Sequence, residues 1–215
     1  MRPLIQIDTR EHSGERERIE AQLDELGVGH FASKLYVGDY CSIDNPRLVI
    51  DRKKDLQELC GNVTQQHERF RNELIRAREA NIKIVVLVEH GGEIESLSDV
   101  FFWENPRRHE MRWRTVDGVR IRDVASRAAI DGPQLYKSLK TIAKRYGVRF
   151  EFCSKARTGK KIAQILGVLH DGGGDKGSVP PCGGDQGKGD RDREGGLLPL
   201  PVPSGGQAGV PQDLP

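Results

Sequence analysis

The chain has only four cysteines (Cys41, Cys60, Cys153 and Cys182), and no two of them stand in a C-x-x-C pair. That spacing argues against a disulfide framework and a structural zinc site, and for a reducing compartment. No run of about 18 apolar residues occurs, so no segment reads as a membrane helix. The opening MRPLIQIDTREH reaches charge too early for the apolar stretch of a signal peptide. The six histidines show no HxH, HxxxH or HExxH spacing. Thr158-Gly159-Lys160 lacks the upstream glycine of a phosphate loop, which argues against an ATP site. A cytoplasmic protein without a membrane role is expected.

Aromatic residues are scarce too, at 6%, and their distribution matters more than their number. None falls after His170. The last 45 residues hold 13 of the 25 glycines and 7 of the 11 prolines. Such a segment offers too little apolar surface to offset its ordering entropy, so 171–215 is expected to be a disordered tail. The tail carries 4 basic and 7 acidic residues, leaving 30 basic and 25 acidic in 1–170. The folded part is therefore basic under a nearly neutral total of +2, which suits a polyanionic partner.

Within 1–170, hydrophobic periodicity alternates between two kinds. Strands are expected at 3–8, at 30–37 ending in the turn Gly38-Asp39, at 48–51, at 84–89 and at 148–152. IVVLVE (84–89) is a continuous β-branched run, as in a central strand buried on both faces. Helices are expected over 15–26, 64–80, 133–146 and 159–169, with a helical turn opening at Asp55, read as its N-cap. Strands alternating with helices indicate an α/β sandwich around a mixed sheet.

Two apolar segments lead to carboxylates, Asp39 and Asp51, and a lysine follows two residues after the second. A strand has a side-chain period of two, so Asp51 and Lys53 share a face. If the two segments pair as a hairpin, Asp39 approaches Asp51 near its mouth. Two adjacent carboxylates repel, and a hard divalent cation such as Mg²⁺ or Mn²⁺ relieves the repulsion. An ammonium beside them can orient a water or offset charge growing on a phosphate. These are the parts of a phosphodiester hydrolase, and equally of a solvated strand end.

The neighbours of that trio carry a resemblance. IDTREH (7–12), VGDY (37–40) and VIDRKKDLQEL (49–59), in this order, resemble the nuclease domain of the XPF family within the restriction-endonuclease-like PD-(D/E)xK superfamily. In that family an acid-x-Arg-Glu motif closes the first strand, Gly-Asp follows a second, and Glu-Arg-Lys completes the site. Asp51 stands here where the family usually has glutamate. The resemblance implies a three-layer sandwich with a central mixed sheet flanked by helices. It implies Asp39 and Asp51 as metal ligands, assisted by the Arg52 carbonyl, with Mg²⁺ as cofactor and Mn²⁺ able to substitute. Lys53 becomes the catalytic lysine and Asp8 a further site acid, with Arg10 and Glu11 in support. The compact form resembles stand-alone bacterial or phage versions without the helix-hairpin-helix module, which points to a prokaryotic or phage-infected cell and a possible homodimer.

Residues 101–122 hold six arginines interleaved with Trp103 and Trp113. Guanidinium forks suit phosphates and indoles stack on unpaired bases, so this insertion is expected to contact DNA, with Arg107, Arg108, Arg112, Trp113 and Arg114 leading and Arg52 at the site itself. The rival reading is a structural insertion with packed tryptophans and solvated arginines. Lys155, Arg157, Lys160 and Lys161 cluster at the last helix, which reads as a solvated helix start or, through Lys160, as a second backbone contact. Glu89, ending the central strand, reads as an acid behind the site or as a strand terminus, and His12 as a possible substrate contact. The expected activity is metal-dependent, structure-selective cleavage of branched DNA in flaps, forks or junctions, serving recombination, repair or replication. The alternatives are a non-catalytic DNA-binding subunit of the same fold and a nuclease for linear DNA or RNA.

Overall fold

The computed structural model describes residues 3–124 and 129–169, all within one compact unit spanning 1–174. The tail expected over 171–215 lies outside the described residues. Among the described residues, eight strands and five α-helices follow in chain order: β1 (Leu4–Ile7), α1 (Ser13–Glu25), β2 (Gly29–Ala32), β3 (Tyr40–Ser42), β4 (Asn45–Lys53), α2 (Leu56–Thr64), α3 (His67–Glu79), β5 (Lys83–Glu89), β6 (Met111–Val116), β7 (Val119–Val124), α4 (Gly132–Tyr146), β8 (Arg149–Cys153) and α5 (Thr158–Ile165).

Six strands form one mixed sheet in the order β2-β1-β3-β4-β5-β8. β3 runs antiparallel to both neighbours, and the other adjacent pairs are parallel. Strand parity sorts the core into two layers. Val49, Val86 and Phe150 face α2, α3 and α4, burying Leu59, Phe70, Leu74 and Leu139. Ile50, Val85 and Leu87 face α1 and α5, burying Ile19, Leu23 and Ile162. The three-layer sandwich with a central mixed sheet is thus present, and β5 is covered on both sides as its unbroken apolar run requires.

Three local expectations differ from the structure. The strand expected over 30–37 stops at Ala32, and Asp39 instead leads into the short strand β3. Three residues are too few to show a period; β3 exists because β1 and β4 supply ladder partners on both sides. The helical turn expected after Asp55 extends to Thr64 as α2, so the helix expected over 64–80 begins only at His67, as α3. Asp55 does cap the first of them, its side chain accepting from the Glu58 amide at 2.7 Å. Third, the Arg/Trp insertion contains a separate two-stranded sheet, β6–β7.

Candidate active site

Asp39 and Asp51 meet at the open end of the β3–β4 hairpin. Tyr40 pairs with Ile50, and the Asp39 amide donates to the Ile50 carbonyl at 2.7 Å, so the pairing carried one step further sets Asp39 opposite Asp51. Gly38 makes this approach possible. It has φ +70°, and an added Cβ there would sit 3.0 Å from the Ile50 carbonyl oxygen. The Asp39 carboxylate then accepts from the Arg52 amide at 2.7 Å, which ties it to the end of β4.

Lys53 lies two residues beyond Asp51 on the same face, and its Nζ is 2.7 Å from Asp51 Oδ1. The ammonium also sits 5.9 Å from the centre of the Phe70 ring. Burial alone would push the Lys53 ammonium down, but the charges of Asp51 and Asp39 outweigh it and hold the ammonium above its ordinary value. Lys53 is therefore a fixed cation here and not a proton acceptor. Asp39 behaves in the opposite sense: burial first, then the charge of Asp51, push its carboxyl well above the usual range. Asp51 Oδ2, also buried, has no hydrogen-bond partner among the described residues. A crowded pair of carboxylates with one orphaned oxygen is the donor chemistry of a hard-cation site. The Arg52 carbonyl and water would have to complete the shell, since no group of three His, Cys, Asp or Glu side chains suited to a metal occurs among the described residues.

The next residue along β4 faces the other way. Arg52 shares the α1/α5 side of the sheet with Ile50, and only 6% of its side chain is exposed. Its guanidinium lies 2.6 Å from Glu11, 3.0 Å from Glu89 and 3.4 Å from Glu15. The sequence reading that set Arg52 on DNA is corrected by this parity: its side chain is locked under the site, and only its backbone faces Asp39. Glu89 is fully buried and also accepts from Arg18 at 2.6 Å and from Thr158 at 2.7 Å. Glu89 thus joins β5 to β4, α1 and α5 behind the site.

Asp8 is equally occupied. Its oxygens take both arms of the Arg10 guanidinium at 2.8 Å, the Arg10 amide at 2.7 Å and the Leu35 amide at 2.6 Å. Burial pushes this carboxyl up, but the hydrogen bonds from Arg10 and Leu35 together pull it further down, so it sits below its usual value. Its structural task is to close the loop over 33–39 on the end of β1. Asp8→Ala is expected to cost about 2–4 kcal/mol, mostly from the two stranded amides, because Arg10 is well exposed and its ion pair screened. Urea unfolding measures that loss. Because the folded carboxyl titrates below the unfolded one, its stabilisation is complete above an unfolded value of about 3.9 and fades as pH falls through the lower folded value. The variant should lose this acid-limb dependence.

An open cleft of about 620 Å³ runs over these groups, lined by Arg10, Glu11, His12, Asp39, Asp51 and Lys53 among others. Sequence reading missed Arg69, Glu73 and Arg76, which line the same cleft from α3. Their i, i+4, i+7 spacing on one helix face was the available signal. It also missed Glu15 and Arg18, whose roles depend on where α1 docks.

The insertion residues are not brought to this cleft. Arg107 and Arg108 occupy an exposed 3₁₀ turn, and Arg108 pairs with Asp131 at 3.2 Å. Trp103 is buried in the core, while Trp113 is 62% exposed on β6. Arg112 pairs with Glu110 at 2.9 Å and Arg114 with Asp123 at 3.0 Å. Lys160 is exposed in a second cleft with His90, Arg157 and Lys161, beside the ends of β5 and β8.

Comparison with known proteins places this geometry. The ERCC4 domain model matches residues 7–165, a span that contains every residue of the cleft described above. The fold is similar to the structure of XPF from Aeropyrum pernix, at 18% identity and a TM-score of 0.50, covering 76% of this chain and 63% of that one. It is similar as well to the structure of the same protein in complex with DNA, at 19% identity and a TM-score of 0.50, covering 78% and 64%. The chain therefore spans somewhat under two thirds of those structures. Among curated proteins nothing matches. With the model match running from the end of β1 into α5, the chain belongs to the ERCC4 domain family.

Proposed function

We propose that this protein is a metal-dependent DNA endonuclease selective for branched DNA. The observation that carries the reading is the convergence of Asp39, Asp51 and Lys53 at one strand end, with a buried carboxylate oxygen left unpartnered. Membership of the ERCC4 domain family and the fold shared with a DNA-bound XPF support DNA as the polymer. Selectivity for branches, the choice of Mg²⁺ and pairing of two copies belong to the proposal through the family resemblance.

Asp39 and Asp51, with the Arg52 carbonyl, would hold the cation. When bound, a divalent ion supplies Lewis-acid polarisation of the scissile phosphate and lowers the barrier to generating a nucleophile from water. The chain's own residues do the rest. Lys53 presents a fixed positive charge where negative charge grows on phosphate oxygens. The Arg52 amide fixes Asp39, and the Arg52 guanidinium, clamped by Glu11 and Glu89, keeps that amide in place. Arg69, Arg76 and Arg10 set cations along the cleft walls for the flanking backbone.

Labelled duplex, flap, fork and four-way-junction DNA incubated with Mg²⁺, Mn²⁺ or EDTA tests this. Cleavage of branched substrates with either metal and none with EDTA is the expected outcome. Binding without cleavage of any substrate would hand the protein to the non-catalytic DNA-binding reading. Equal cutting of linear duplex would remove the branch selectivity.

A further inference from the structure

The β6–β7 hairpin is left unexplained by the cleavage site. An isolated two-stranded hairpin is marginal in water, yet every residue of β6 is exposed and β7 has only partial cover at Ile121, Asp123 and Val124. Its turn is tight: Asp117 and Gly118 have φ +49° and +81°, the conformation a two-residue turn of matching twist requires. The register then decides which side chains share a face. Trp113 stands opposite Arg122, Thr115 opposite Arg120 and Met111 opposite Val124; Arg112 and Arg114 stand on the reverse face with Asp123 and Ile121.

The two faces differ in charge. On the reverse face both arginines are neutralised, Arg112 by Glu110 and Arg114 by Asp123. On the Trp113 face there is no carboxylate, and neither Arg120 nor Arg122 makes an ion pair among the described residues. The Arg120 guanidinium lies over the Trp113 ring, 5.5 Å from its centre, while the indole keeps 62% of its surface open. A flat aromatic surface flanked by two uncompensated guanidinium groups fits a strand whose bases are unstacked and whose phosphates follow alongside. Paired DNA would hide those bases.

We propose that this face binds a single-stranded DNA segment, Trp113 stacking on an unpaired base and Arg120 and Arg122 holding its phosphates. The inference rests on the nuclease reading for the identity of the polymer, and it supplies that reading with a reader of unpaired strands outside the cleft. It also moves the expected contacts within the insertion from Arg112 and Arg114 to Arg120 and Arg122.

The test is binding of a dT oligomer of about 12 nucleotides by the full chain in EDTA, followed by tryptophan fluorescence and by anisotropy at several salt concentrations. Trp103 is buried, so quenching reports Trp113. The parent should be quenched, and Trp113→Phe should lose the quench. Trp113→Ala should weaken binding about tenfold. The pair Arg120→Ala and Arg122→Ala should lower the salt slope by about 1.4, at about 0.7 per phosphate contact. The charge-matched pair Arg112→Ala and Arg114→Ala should change affinity by less than about twofold. All four arginines and Trp113 are exposed, and far-UV circular dichroism checks that each variant folds. Equal losses from both pairs, or no quench in the parent, would overturn the proposal. So would a dimer that Trp113→Ala dissociates without altering oligomer binding, since the face would then join two copies. A parent that cuts branched DNA yet ignores the oligomer refutes the hairpin alone. A parent that binds the oligomer through Trp113 but cuts nothing refutes the cleavage reading alone.

Discussion

Asp51→Asn is expected to reduce DNA cleavage by at least about a thousandfold while leaving the fold intact. The substitution preserves the shape of the side chain at the end of β4. It removes the charge that, with Asp39, makes the site attractive to a divalent cation, and it turns the unpartnered Oδ2 into either an amide or a weaker acceptor. Breaking a buried ion pair ordinarily destabilises a protein, and Lys53 is only 10% exposed. Here a second carboxylate stands by. Burial and the charge of Asp51 are what raise Asp39, so removing that charge lets Asp39 ionise more readily and neutralise Lys53 in its place. Thermal unfolding should therefore shift little, while single-turnover cleavage and Mn²⁺ binding both collapse. A variant that cuts at the parental rate would show that the reacting phosphate does not sit at Asp51.

Glu89→Ala is expected to be the most destabilising single change behind the site, by about 3–5 kcal/mol. That corresponds to a fall in Tm of about 10 °C for a domain of this size. Glu89 is fully buried and takes three partners from three elements: Arg52 on β4, Arg18 on α1 and Thr158 at the start of α5. Truncation leaves the Arg52 guanidinium deep under the sheet with only Glu11 at 2.6 Å and Glu15 at 3.4 Å as counter-charges. Glu89→Gln keeps an acceptor for Thr158 and Arg18 but turns an amide group toward Arg52, so an intermediate loss follows. Cleavage should fall along with stability, because the Arg52 amide is the group that anchors Asp39. Urea midpoints for the two variants decide this; a loss below about 1 kcal/mol in Glu89→Ala would mean that the other acids on that face suffice.

The two variants probe opposite faces of one strand, and that division explains much of what could and could not be read beforehand. Period-two spacing joined Asp51 to Lys53, and the structure bears this out with a 2.7 Å ion pair; the same period turns the Arg52 side chain away from them, although the motif had set it on DNA. What awaited Arg52 on the other side was not legible. Glu11, Glu15 and Glu89 lie far from it in the chain, and only the β4–β5 pairing and the packing of α1 on the sheet bring them near. An exposed arginine in a nuclease-like motif and a buried one look the same as letters. The hairpin is a different case: Asp117-Gly118 between alternating strands is a strong local turn signal, legible in the letters themselves.

Local rules of the sequence were enough for the alternating strands and helices, the doubly buried β5, the helix cap at Asp55, and the order of acids and lysine that carries the family resemblance. These depend on side-chain period and on the preferences of single residues, which act over a few positions. The tertiary structure alone decided that Asp39 enters through a three-residue strand, that Asp8 is spent on Arg10 and Leu35, and that among the described residues the hairpin's arginines are ion-paired on one face and not on the other. Each of those outcomes turns on which distant segment arrives to take a hydrogen bond or an ion pair, and such arrivals are set by the cooperative packing of the whole sheet.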